Sequence, residues 1–139
     1  MIHKHARAGF SLIEILVAVV IIGIVAAVAV PSYLGYAERA KVKATKTSLK
    51  SVQRDIEAFS TEINQFPETL EDLVRKPLNE ELAKEWTGQF SPQIPKDGWG
   101  NVFVYRPTPG EEHPYALYSY GPKGKSAPQS EWIDAWKQK

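Results

Sequence analysis

The sequence predicts an α+β protein in which one long amino-terminal spine helix, first apolar and then amphipathic, packs on a small antiparallel β-sheet domain. Three observations predict it. Phe10 to Val30 holds a single charge, Glu14, in 21 positions. From Tyr33 to Gln65 there is no proline and one glycine, Gly35, with charges interspersed, which is helical composition. Beyond Gln65, prolines and glycines cut the chain into short pieces, two of which read as strands. The totals alone, 139 residues with 17 Lys+Arg against 16 Asp+Glu and 43% hydrophobic, would describe an ordinary soluble domain. They mislead, because the apolar content is concentrated at one end. About 109 residues follow Val30, enough for one small domain. A net charge of +1 argues against a dedicated nucleic-acid binder, which needs a surplus of cations on one face. The absence of cysteine excludes a disulfide framework, a thiolate zinc site and a cysteine nucleophile.

Ahead of the apolar run lies Met1 to Gly9, with Lys4, Arg7, His3 and His5 and no acid, the composition of the n-region of an export signal. The run exceeds the roughly 7 to 15 residues of a cleavable signal core and matches the ~20 that cross a bilayer, so it is expected to stay in the protein. Ala27-Val28-Ala29 is a weak match to a signal-peptidase site. Glu14 stands about 6 Å inside the run by helical rise. A carboxylate near the bilayer midplane costs about 2.5–3.5 kcal/mol, and less near an interface. Glu14 therefore either snorkels to the headgroups or awaits a cationic partner among neighbouring helices. Charge counting does not orient the helix, because Lys4 and Arg7 precede it while Arg39, Lys41, Lys43, Lys46 and Lys50 follow.

The stretch Gly9-Phe10-Ser11-Leu12-Ile13-Glu14, with basic residues before it, an apolar helix after it and Pro31-Ser32-Tyr33 closing it, resembles the class III signal of type IV pilins and pseudopilins. The resemblance implies that a prepilin peptidase cuts between Gly9 and Phe10 and methylates the new amine of Phe10. It implies a single-pass inner-membrane protein whose carboxy-terminal domain faces the periplasm. It also implies an assembly role for Glu14, the fifth residue after the cut, whose carboxylate would meet the Phe10 amine of a neighbouring subunit. Two charges that are each costly in lipid become favourable as a pair. On this reading residues 1–9 are a leader, 10–30 the transmembrane and assembly helix, 31–65 the periplasmic amphipathic half of the spine, and 66–139 a small globular α+β domain with a carboxy-terminal hairpin and loop.

Along the spine, Leu49, Val52, Ile56, Phe59 and Ile63 step by 3, 4, 3 and 4 and draw one narrow apolar stripe. The stripe is expected to be the face on which the small domain packs, since it lasts barely two heptads. Between Glu38 and Arg54 six basic residues accompany one acid. Such a run is a solvated helix face, or it touches anionic headgroups or acids of adjacent subunits. Pro31 removes the bond to the Ala27 carbonyl and is expected to kink the axis, and similar filament proteins unwind near that proline on assembly. Phe10 to Gln65 as one helix would span about 84 Å.

Phe66-Pro67 ends the spine, and Thr69 with Asp72 reads as a capping box opening a short helix from Leu70 to Arg75. Asn79 to Trp86 is expected to form another helical turn or two, and Gly88 to Gly100 to be loop. Val102 to Arg106 and Tyr115 to Tyr120, joined through Pro109-Gly110, predict an antiparallel hairpin covering the stripe. Trp132 and Trp136, four apart, are expected in a terminal helical turn docked on the domain or in a contact with another subunit.

Phe66-Pro67 with Leu70 and Leu73, then Pro95 to Asn101, then Tyr115 to Gly124, are similar in order and spacing to the major pseudopilin family of type II secretion systems. With the amino-terminal motif the resemblance covers nearly everything from Gly9 onward. Asp97 to Asn101 reads as a tight turn with a buried Trp99. That family usually holds calcium in the loop after the last strand, through a Gly-Pro-Asp-Gly segment and a later acidic pair. Here the first position is Lys123, Lys125 follows, and Glu131 and Asp134 are the only acids after Glu112. Calcium takes 6–8 oxygens, so no conventional calcium site and no other cofactor is expected. One lysine is expected to pair with one of the two acids instead.

An enzyme is not expected. Outside the leader His113 is the only histidine, and neither a nucleophile motif nor a phosphate-cradling loop is present. Loss of Lys4 and Arg7 with the leader takes the balance from 17 against 16 to 15 cations against 16 acids. The resemblance implies a structural subunit that polymerises into a periplasmic pseudopilus and drives export of folded proteins. Its partners would be further copies of itself, minor pseudopilins, the prepilin peptidase, the inner-membrane assembly platform and membrane lipid, with no nucleic acid. The alternative is a type IV or minor pilin of a surface filament for adhesion, motility or DNA uptake, against which the missing cysteine pair weighs. A third reading is an uncleaved membrane protein whose basic helix binds an anionic partner.

Overall fold

The computed structural model describes residues 9–137, so the basic residues and histidines of the expected leader, Lys4, Arg7, His3 and His5, lie outside the described residues. Helix α1 runs from Leu12 to Ile63 and continues through Pro31. The chain divides into two compact units, one ending at Glu38 and one starting at Arg39.

In the first unit the helix is apolar all round. Its large side chains from Phe10 to Val30 are all exposed, the least so being Val17 at 48%. The helix is long and apolar enough, by length and composition, to cross a membrane.

The second unit is built on the remainder of α1. Leu49, Val52, Ile56, Phe59 and Ile63 are buried, as the stripe requires, against Leu70, Leu73, Leu82, Phe103, Tyr115, Leu117 and Ala135. Each Leu, Val, Ile or Phe side chain among them contributes about 1.5–3 kcal/mol on removal from water. The stripe starts one turn earlier than the apolar pattern indicates, because Thr45 is also fully buried. At the other end α1 stops at Ile63 through Asn64, whose φ of 59° is the left-handed conformation that closes helices. The helix thus ends before Phe66-Pro67 is reached.

The expected helix at Leu70 to Arg75 is a single 3-10 turn, Leu70–Leu73. Its capping box is formed as read, with Asp72 accepting from the Glu68 and Thr69 amides at 2.9 Å. Helix α2, Glu80–Glu85, is capped by the Asn79 side chain. The sheet has three antiparallel strands in chain order: β1 Val104–Pro107, β2 Tyr115–Ser119 and β3 Ile133–Asp134. Val104 faces Tyr118, and Tyr118 in turn faces Asp134. In β2 the buried residues alternate, Tyr115, Leu117 and Ser119 facing inward. The first strand begins later than expected because Val102 bridges back to Lys96.

The largest correction concerns the carboxy terminus. Trp132 and Trp136 do not lie on a helical turn; they flank β3, and the Ala135 amide extends the ladder to the Leu117 carbonyl at 2.9 Å. Trp132 stacks on Tyr118 at 4.5 Å, and Trp136 on His113 at 4.2 Å. The four-residue spacing had the look of a helix face, yet both indoles are fixed by carbonyls, Trp132 by Ala127 and Trp136 by Tyr115.

Candidate functional site

The amino-terminal candidates fall together at the start of α1. Gly9, Phe10 and Ser11 precede the helix and belong to no regular element. Phe10 is 80% exposed. Ser11 caps the helix: its Oγ accepts the Glu14 amide at 3.2 Å, and the Ser11 amide donates to Glu14 Oε2 at 3.4 Å. This reciprocal pair is a capping box, which satisfies two amides that the first helical turn leaves without intrahelical partners. The exposed Glu14 carboxylate therefore lies at the positive end of the helix dipole, one turn from Phe10. The spacing Ser-x-x-Glu announces this cap, but the apolar run that surrounds it masks the signal.

The second unit holds a polar junction at Asp97. Its carboxylate is buried and accepts three hydrogen bonds: from the Trp99 amide at 3.0 Å, the Asn101 amide at 2.8 Å and Ser119 Oγ at 2.6 Å. Ser119 Oγ in turn accepts the Gly121 amide at 3.0 Å, tying the turn to the start of the carboxy-terminal loop. The Gly98 amide donates to Thr45 Oγ1 at 2.8 Å, while Thr45 donates to the Lys41 carbonyl at 2.8 Å. A Cβ on Gly98 would stand 2.5 Å from that same Lys41 oxygen, so only glycine lets the loop approach α1 this closely. The turn is as tight as expected, but its buried residue is Asp97, and Trp99 is only half-buried. Thr45 lies four residues before Leu49 and continues the buried face, which its polar side chain did not announce in the sequence.

Lys123 donates to Glu131 Oε1 at 2.8 Å, one of the pairings expected of the loop. Asp134 is turned to another task, its Oδ1 accepting the Trp136 amide at 2.9 Å. Lys125 is exposed. Among the described residues no group of three His, Asp or Glu side chains is placed to hold a metal ion. His113 is engaged in its stack on Trp136. Burial raises the pKa of Asp55 on α1, opposed by a hydrogen bond from Ser91 and by the Arg54 charge.

An exposed apolar helix with a capped acidic first turn, joined to a small domain closed by a three-stranded sheet, defines the pseudopilin class of fold. A crystal structure of the major pseudopilin from the type 2 secretion system of enterohaemorrhagic Escherichia coli has the same fold, with a TM-score of 0.64 at 20% identity, covering 76% of this chain and 94% of that one. The family described as type II secretion system protein G matches residues 32–136, and the prokaryotic N-terminal methylation motif matches residues 4–30. The chain belongs to the type II secretion system protein G family. The type II secretion system core protein G of Pseudomonas aeruginosa is 36% identical over 126 residues, covering 88% of each chain. That of Vibrio cholerae is 31% identical over 131 residues, covering 92% of this chain and 89% of its own.

Proposed function

We propose that this protein is a structural subunit that polymerises through its apolar helix into a periplasmic pseudopilus, whose growth drives folded proteins out of the cell. The observation that carries this reading is the contrast between a domain closed on its own core and a helical segment whose large apolar side chains are exposed without exception from Leu12 to Val30. Such a helix needs a bilayer, and then a bundle of like helices, to cover it. Family membership supports the secretion reading over a surface pilus.

Processing at Gly9-Phe10 would free an amine one helical turn from Glu14. Within its own chain Glu14 caps the helix, and on a neighbour's Phe10 it would neutralise the methylated amine, so that subunit addition selects for register. The remaining partners follow from the same reading: the prepilin peptidase, the inner-membrane platform, minor pseudopilins and lipid. The domain faces the periplasm.

The test is Glu14→Ala in the full chain, expressed with a prepilin peptidase. Intact mass should show loss of residues 1–9 and a methylated Phe10 amine in both forms, while filaments form only with Glu14. Normal filaments from the variant would remove Glu14 from assembly, and an intact leader would remove the processing step.

A further inference from the structure

We propose that the loop joining β2 to β3 is closed by the chain's own ammonium group, Lys123 on Glu131, and that this protein reaches its stable fold without calcium, unlike the family it resembles. The donor set argues for it. A calcium site needs 6–8 oxygens, several of them carboxylates. Between Gly121 and Asp134 the only carboxylates are Glu131, which accepts Lys123 Nζ at 2.8 Å, and Asp134, which accepts the Trp136 amide.

Six of the loop's backbone oxygens already accept hydrogen bonds. The Gly121, Gly124, Pro128 and Gln129 carbonyls accept the amides of Gly124, Ala127, Glu131 and Trp132, at 2.9 to 3.3 Å. The Lys123 carbonyl accepts Ser126 Oγ at 2.9 Å and the Ala127 carbonyl accepts Trp132 Nε1 at 3.0 Å. A metal using these carbonyls would have to share them with the hydrogen bonds they already accept, and they bring no carboxylate charge to it.

The next carboxylate along the hydrogen-bond chain, Asp97, already holds Ser119 and two amides, and the cleft beside it is lined by Lys96 and Lys125. A dication entering there would meet two ammonium groups, whose repulsion opposes the few free oxygens. The loop has instead the small means that a short segment requires: left-handed Gly121 and Gly124 at φ 74° and 62°, two 3-10 turns, one ion pair and a stacked indole.

The experiment is thermal unfolding of the full chain in detergent micelles, followed by tryptophan fluorescence, in millimolar calcium and in chelator. It is independent of filament assembly, so it can fail while the proposed function stands. The midpoints should coincide within about 1 °C. A rise of several degrees in calcium, as ligand linkage gives when the ion is far above its dissociation constant, would overturn the proposal. A double-mutant cycle with Lys123→Met and Glu131→Gln should return a coupling of about two- to five-fold in the folding equilibrium, fading in high salt. Zero coupling at low salt would overturn the ion-pair closure.

Discussion

Residues 12–30 and 45–63 are segments of one helix, both carrying branched apolar side chains, yet they solve opposite problems. In the first, apolar side chains point in every direction and remain exposed; in the second, they keep to one stripe that the domain covers. A helix apolar all round has its burial supplied from outside, whereas a striped helix is completed within its own fold. Errors in the two should therefore have separate consequences, the first disturbing assembly and the second disturbing folding.

The largest separation is expected at Glu14. Glu14→Ala should bring filament counts, scored by electron microscopy, to background while leaving the domain's melting temperature unchanged; a fall in both would break the contrast. Phe59→Ala should do the reverse, lowering unfolding free energy by about 3–5 kcal/mol in denaturant titrations, because Phe59 is fully buried against a tilted Phe90 ring. Gly98→Ala should cost about 2 kcal/mol or more by forcing the loop off the Lys41 carbonyl. Thr45→Val, which strips the Gly98 amide of its acceptor, should cost about 1–3 kcal/mol.

The covered stripe should also have an alkaline limit. Burial, above all, holds the Tyr105 hydroxyl far above its ordinary pKa of 10, and Tyr115 at about 12. The unfolded chain releases these protons first, so their contribution is complete below about pH 10 and declines as pH rises toward and past 12. Tyr105→Phe should flatten that decline, measured as unfolding free energy against pH. Smallest of all, Lys123→Met should shift stability by less than about 1 kcal/mol, because the ion pair is 61% and 40% exposed.

What was legible in the sequence follows the same division. The apolar run, the stripe, the Thr69 box and the hairpin are repeated local patterns, and each was readable from spacing. The bonds from Ser119 to Asp97 and from Gly98 to Thr45 were not readable, because their partners lie 22 and 53 residues apart and no local rule joins them. The third strand failed for another reason: it has two residues, and its flanking indoles imitate a helix face. Among the candidate residues, Gly9, Phe10 and Glu14 stood out through their unusual company, a lone acid in an apolar run, while the capping hydroxyl beside them did not.

The helix cap also bears on enzyme access. Proteolysis acts on an opened chain, so a peptide bond wound into a helix must first be unwound. Because the Ser11 hydroxyl caps the start of α1 at Leu12, the Gly9-Phe10 bond lies just clear of the coil. Ser11→Ala would blur that boundary, so that the Ser11 hydroxyl would act as a ruler for the proposed cleavage at Gly9-Phe10 as well as a support for the helix.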